Sequence, residues 1–148
     1  MNQHTPPKSG EKIIETTIEL ARCSKLHRII VAGSKGLYHM LGLHRRGYNR
    51  VVTAATCCLP RARYDVGFVD WRLQQIKALE VKLVWLAPLL APTSVLVIWL
   101  DAGERTDHRK LGSMLERLGF RIEAGTLCEH GFAISARRRD ANRQAIAA

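Results

Sequence analysis

The sequence predicts an α/β fold: a three-layer sandwich whose mainly parallel six-stranded sheet ends in an antiparallel C-terminal hairpin. Three observations predict it. Short apolar runs alternate with segments of helical period, glycines and acidic residues punctuate the ends of those runs, and the last two runs lie too close together for a crossover. At 148 residues and 47% hydrophobic composition, the chain suits one domain with one sizeable core.

Met1 to Gly10 carry Pro6-Pro7 and no periodic pattern, so 1–10 is expected to be a flexible lead-in to a single domain over 11–138, with 139–148 a basic flexible tail. A helix is predicted from Glu11 to Ser24, with Ile14, Ile18 and Ala21 on one face. Ile29, Ile30, Val31 and Ala32 form a buried strand that Gly33 ends. Leu37, Met40, Leu41 and His44 have helical spacing, and Gly47 supplies the expected cap. A second strand follows over Arg50 to Thr53. No helical pattern separates it from the third, Val66 to Val69, which Asp70 closes.

A long helix is then predicted from Leu73, Ile76, Leu79, Leu83, Leu86 and Leu90. Leu83 to Leu100 contain no charge, which is the length of a membrane span. Pro88, Pro92, Thr93 and Ser94 break that stretch in its middle, so it reads as a helix end, a turn and a fourth strand over Val95 to Leu100. Thr106 is placed to cap a helix with Leu111, Met114, Leu115 and Leu118 on its apolar face, ending at Gly119. Strands near Arg121 to Leu127 and Phe132 to Ala136 flank Glu129, His130 and Gly131 and pair as a hairpin.

In such sheets a ligand sits beyond the carboxyl ends of the strands, where strand order reverses. Gly33, Ser34, Lys35 and Gly36 fall on that edge, as do Asp70, Trp71 and Asp101. A glycine turn between a buried strand and a helix offers backbone N–H groups to an anion or cofactor, or is simply a tight turn. Asp70 is the candidate catalytic residue, a carboxylate for acid–base or substrate-orienting work; it serves equally as a helix cap. Trp71 walls a flat ligand or packs. Ser34 and His39 lack the glycine-flanked elbow of a serine nucleophile.

Hydrophobic strand, small-residue loop and helix, then Tyr64-Asp65-Val66-Gly67-Phe68-Val69-Asp70, Leu86-Ala87-Pro88 to Leu96-Val97-Ile98, and Leu118-Gly119-Phe120 to Ala136-Arg137-Arg138, together resemble a class I S-adenosylmethionine-dependent methyltransferase over about residues 28 to 138. The resemblance implies S-adenosyl-L-methionine as cofactor, held by Gly33 to Gly36, with Asp70 on the substrate side. Two features depart from that family's pattern. Thr53, Ala54, Ala55 and Thr56 stand where its ribose-holding acid is usual, and its third strand and preceding helix are missing between Thr56 and Tyr64. Together these imply a methyltransferase-like protein of reduced or lost activity.

Charge supplies a separate expectation. Leu20 to Tyr64 hold nine Lys or Arg and no acid, within a chain of net charge +10. Lys35, Arg45, Arg46 and Arg50 are the candidate anion-binding residues, for nucleic acid or another polyanion; the alternative is a solvated basic face. Only Tyr38, Tyr48 and Tyr64 could stack on bases there, so base reading is not indicated. No metal site is expected, because adjacent Cys57-Cys58 and Cys128-x-His130 lack chelating spacing. Four cysteines without a framework and no leader pattern lead to the expectation of reduced thiols in a cytoplasm.

Overall fold

The computed structural model describes residues 9–55, 63–103 and 108–139. Its elements run α1 (Ser9–Ala21), β1 (Ile29–Gly33), α2 (Gly36–Arg45), β2 (Val51–Thr53), β3 (Tyr64–Asp70), α3 (Ile76–Leu86), a 3-10 turn (Ala87–Leu89), β4 (Leu90–Leu100), α4 (His108–Arg117), β5 (Phe120–Cys128) and β6 (Gly131–Arg138). The sheet order is β2-β1-β3-β4-β6-β5. β1, β2, β3 and β4 are parallel, and β6 runs antiparallel to both β4 and β5. The predicted architecture is therefore observed, including the C-terminal hairpin.

Alternation along the strands divides the core in two. Ile29, Val31, Val66, Phe68, Val97 and Trp99 face one layer, where Ile13 and Ile14 of α1 and Leu43 of α2 cover them. Ile30, Ala32, Val69, Leu96, Ile98 and Ile134 face the other, under Leu79 and Leu83 of α3 and Leu111 and Leu115 of α4. In the first layer the Trp99 indole N–H donates to Thr17 Oγ1 at 2.9 Å, and that hydroxyl donates to the Ile13 carbonyl at 2.8 Å. The one deep polar atom of the tryptophan is thereby satisfied inside the core.

Several expectations are corrected. The predicted lead-in gives way to helix at Ser9 rather than Glu11. Helix α2 buries His39, Gly42 and Leu43, while Leu37 and Leu41 are 62% and 45% exposed. Its buried face is set by close packing at Gly42, where an added Cβ would lie 2.2 Å from Ile14 Cδ1; a glycine carries no hydropathy signal. Helix α3 is shorter than predicted at both ends. Leu73 is left-handed, with φ of 63°, and cannot join it. Leu90 already pairs with Tyr64 as the first residue of β4, so that strand begins five residues before Val95 and carries Pro92 near its start. The uncharged stretch is thus helix, turn and strand, and among the described residues no helix is long and apolar enough to cross a membrane. Thr106, Pro60 and Cys57-Cys58 lie outside the described residues.

Candidate functional site

β1 hands the chain to β2 on one side and adjoins β3 on the other, so the strand order reverses between β1 and β3. A crevice opens there, beyond the carboxyl ends of the strands. Gly33 pairs in register with Asp70, so the turn after β1 and the acid ending β3 are brought together. Gly33 has a φ of +106°, and a Cβ on it would lie 2.0 Å from the Asp70 carbonyl oxygen. Only glycine allows the two backbones this close approach. Gly36 differs: a Cβ there meets nothing nearer than 3.8 Å, so packing does not require the missing side chain.

The crevice has a volume of about 170 Å³ and is lined by Ser34, Lys35, Asp70, Arg72, Leu73, Asp101 and His130. Ser34 and Lys35 are exposed at the N-terminal end of α2, where unpaired backbone N–H groups and the helix dipole favour an anion. On the far wall, Asp101 Oδ2 accepts the Leu73 backbone N–H at 2.9 Å. That bond holds Leu73 in its left-handed conformation with the side chain 90% exposed at the crevice mouth. Trp71 is turned away instead: it is buried in the core, and its indole N–H donates to the Gln75 carbonyl at 2.8 Å.

Asp70 is fully buried. Its Oδ1 accepts Arg72 Nε at 2.9 Å and the Arg72 backbone N–H at 3.2 Å. Its Oδ2 accepts Arg72 Nη2 at 2.7 Å and lies 2.7 Å from His39 Nε2. Four donors thus occupy the roughly four lone-pair directions of one carboxylate. Burial alone raises its pKa, but the Arg72 and His39 hydrogen bonds and charges outweigh that and hold the carboxyl well below its usual range. The same pairing pushes Arg72 further up. A group this firmly ionised, with no lone pair to spare, is neither proton donor nor base near neutral pH. Nor does it cap a helix, since α3 starts at Ile76 behind Gln75.

Sequence reasoning missed Arg72 and weighed His39 only as a partner for Ser34, whereas both residues close on Asp70. The ring of His39 is wholly buried against Phe68, with centroids 4.7 Å apart, and among the described residues its Nδ1 has no hydrogen-bond partner. Placing the ring proton on Nε2 lets it donate to Asp70 and leaves only an unpaired acceptor at Nδ1. The signal for Arg72 was its position two residues beyond a strand-ending acid, because a carboxylate buried at a strand end needs a cation.

The predicted anion site does not hold together as one patch. Lys35 borders the crevice, whereas Arg45 and Arg46 lie at the other end of α2, about 15 Å away by helical rise. Arg50 precedes β2 on that same far edge, and its carbonyl accepts the Ile29 N–H. Arg46 is paired with Glu15 at 3.3 Å.

No protein-family model matches the chain, and no curated protein matches its sequence. Solved structures do match. The 1,6-didemethyltoxoflavin-N1-methyltransferase of Burkholderia thailandensis, solved with S-adenosylhomocysteine, superposes with a TM-score of 0.61 at 14% identity, covering 90% of this chain and 80% of that one. A SAM-dependent methyltransferase from Aquifex aeolicus gives 0.58 at 15% identity, covering 88% and 89%. The [4+2]-cyclase SpnF gives 0.59 at 10% identity, covering 87% and 80%. The fold is accordingly the class I methyltransferase-like, Rossmann-like fold. At these identities the likeness is one of fold, and a cyclase among the matches underlines that the fold alone does not define a reaction.

Proposed function

We propose that this protein is an S-adenosylmethionine-binding, methyltransferase-like protein that grips chiefly the amino-acid end of the cofactor and has reduced or lost transfer activity. The observation that carries the reading is the meeting of the Gly33–Gly36 turn, the start of α2 and the β3 terminus at the point where strand order reverses. The donor set fits an aminocarboxylate. Lys35 and the N–H groups opening α2 suit its carboxylate, Asp101 suits its ammonium, and Leu73 offers an apolar surface beside them. Gly36 leaves room for close approach to the backbone.

The adenosine end is served less well. A cavity of about 170 Å³ is smaller than the roughly 300 Å³ and upward typical of sites for whole ligands of this size. At the end of β2, Thr53 and Ala54 stand where an acid would hold the ribose hydroxyls.

When bound, the cofactor supplies an electrophilic methyl group on a sulfonium. What the chain contributes is positioning. Asp70 serves as a positioning residue: as the anionic centre of the His39–Arg72 cluster it fixes β3 against α2, and with it the crevice floor. Lacking a base at Asp70, the site suits only acceptors already nucleophilic at the working pH. Calorimetry with S-adenosylmethionine, S-adenosylhomocysteine and free methionine tests the reading. Heat with the first two and weaker heat with methionine are expected; no heat and no thermal shift at millimolar ligand would remove it.

A further inference from the structure

The fold collects positive charge at the edge of the sheet opposite the crevice. Arg28, Arg50 and Arg63 stand just before β1, β2 and β3, Arg22 follows the last turn of α1, Arg45 closes α2, and Arg137 is the penultimate residue of β6. Because β6 is antiparallel to β4, with Arg137 opposite Val95, its carboxyl end reaches the same edge as the amino ends of the parallel strands. Residues from two distant stretches of sequence, 22–63 and 121–139, therefore form one basic rim. Among the described residues, three carboxylates near it are engaged: Asp65 accepts the Arg28 N–H at 2.9 Å, Glu123 accepts Arg137 Nε at 2.6 Å, and Glu15 pairs with Arg46, while Glu19 is exposed on the last turn of α1. The crevice edge, by contrast, sets Lys35 and Arg72 against Asp70 and Asp101.

We propose that this rim is a binding surface for the phosphodiester backbone of nucleic acid, read without regard to base sequence. From Arg50 beside β2 to Arg137 on β6 the sheet order spans four strand spacings, about 19 Å, which along a duplex axis is five to six base-pair steps carrying about eleven phosphates on the two strands. The cations are almost all arginines, whose planar fork matches phosphate oxygens in pairs. At the rim, between α1 and the sheet, a recess of about 150 Å³ brings Arg22, His27 and Arg137 together, with Asp65 also in its wall. His27 Nδ1 accepts the Ser24 N–H at 3.0 Å, which fixes the ring at the wall of this recess. Tyr48 and Tyr64 are buried and cannot stack on bases, which limits recognition to the backbone. A membrane surface is the poorer fit. Leu26 is exposed beside the recess, and Val84 and Trp85 are exposed on the last turn of α3 on the other face of the sheet; these separated side chains form no continuous apolar face to anchor in lipid. The proposal goes beyond the crevice and holds whatever ligand that site takes.

The test is fluorescence anisotropy with a labelled 20-base-pair duplex of arbitrary sequence, titrated between 50 and 200 mM salt. The wild-type chain is expected to lose about 10³-fold in affinity over that range, as for six phosphate contacts. Arg45→Ala/Arg50→Ala/Arg63→Ala should weaken binding about tenfold or more and flatten the log–log salt slope by about 2.7. Lys77→Ala/Arg109→Ala/Lys110→Ala removes equal charge from the α3–α4 face and should change affinity less than about twofold. Equal losses in the two variants would overturn the proposal by reducing it to net charge. Salt-independent binding, no binding, or tighter association with phosphatidylserine vesicles than with the duplex would overturn it as well.

Discussion

Replacing Asp70 by Asn keeps the shape of the side chain and removes its charge from the centre of the His39–Arg72 cluster. The site is dry on the Asp70 side, where the carboxylate is 1% exposed, and Arg72 keeps only 15% of its side chain exposed. Breaking a buried pair by removing one partner costs about 3 kcal/mol, because the remaining charge loses its counter-ion while still desolvated. For a chain of this size that corresponds to a fall in Tm of about 6 to 12 °C. The pH dependence follows from the lowered pKa of Asp70. Its contribution is fully present above the unfolded carboxyl pKa near 3.9 and is lost as pH falls toward the lower folded value. The assay is urea unfolding followed by tryptophan fluorescence, at pH 7 and pH 3.5. Wild type should exceed Asp70→Asn by about 3 kcal/mol at pH 7, with a smaller gap at pH 3.5. A gap under about 0.5 kcal/mol at pH 7, or one that widens on acidification, would refute the cluster's role.

Three further outcomes are expected. Gly33→Ala forces a Cβ into the Asp70 carbonyl at a positive φ and should cost about 3 kcal/mol or more, whereas Gly36→Ala should stay within about 0.5 kcal/mol of wild type and lose cofactor-induced thermal stabilisation. Thr17→Val strands the buried Trp99 indole N–H and should cost about 1–3 kcal/mol in the same urea assay; a neutral result would contradict the hydrogen-bonded chain. Burial pushes the Cys23 thiol up to about 11, so iodoacetamide at pH 8 should leave its peptide largely unlabelled until urea is added, as read by mass spectrometry.

Much of the fold was legible because it is written in contrasts of hydropathy. The run Ile29 to Ala32, the charge-free Val95 to Leu100 and the short hairpin link each allow few placements. The buried face of α2 was not legible, since its decisive residue is Gly42 and its buried polar residue is His39. The extent of α3 was misread because Leu73 and Leu90 continue its spacing, yet one is strained into a left-handed turn and the other is drawn into β4 by Tyr64. At the site, the convergence of Gly33 and Asp70 followed from topology alone. The partners of Asp70 did not, because a single sequence shows a strand-ending acid without showing that four donors close on it. Charge was misjudged for a related reason: counting along the chain grouped Lys35 with Arg45, Arg46 and Arg50, while the fold moves Lys35 to the crevice and brings Arg137 to the arginines.

The central claim is that the turn between β1 and α2 holds the amino-acid end of a cofactor. Amide chemical-shift mapping of the ¹⁵N-labelled chain, titrated with S-adenosylhomocysteine, addresses it residue by residue. The account predicts the largest shifts at Ser34, Lys35 and Gly36, smaller ones at Leu73 and Asp101, and none at Arg28 or Arg50. Shifts confined to the opposite edge of the sheet, or a spectrum unchanged at millimolar ligand, would contradict it.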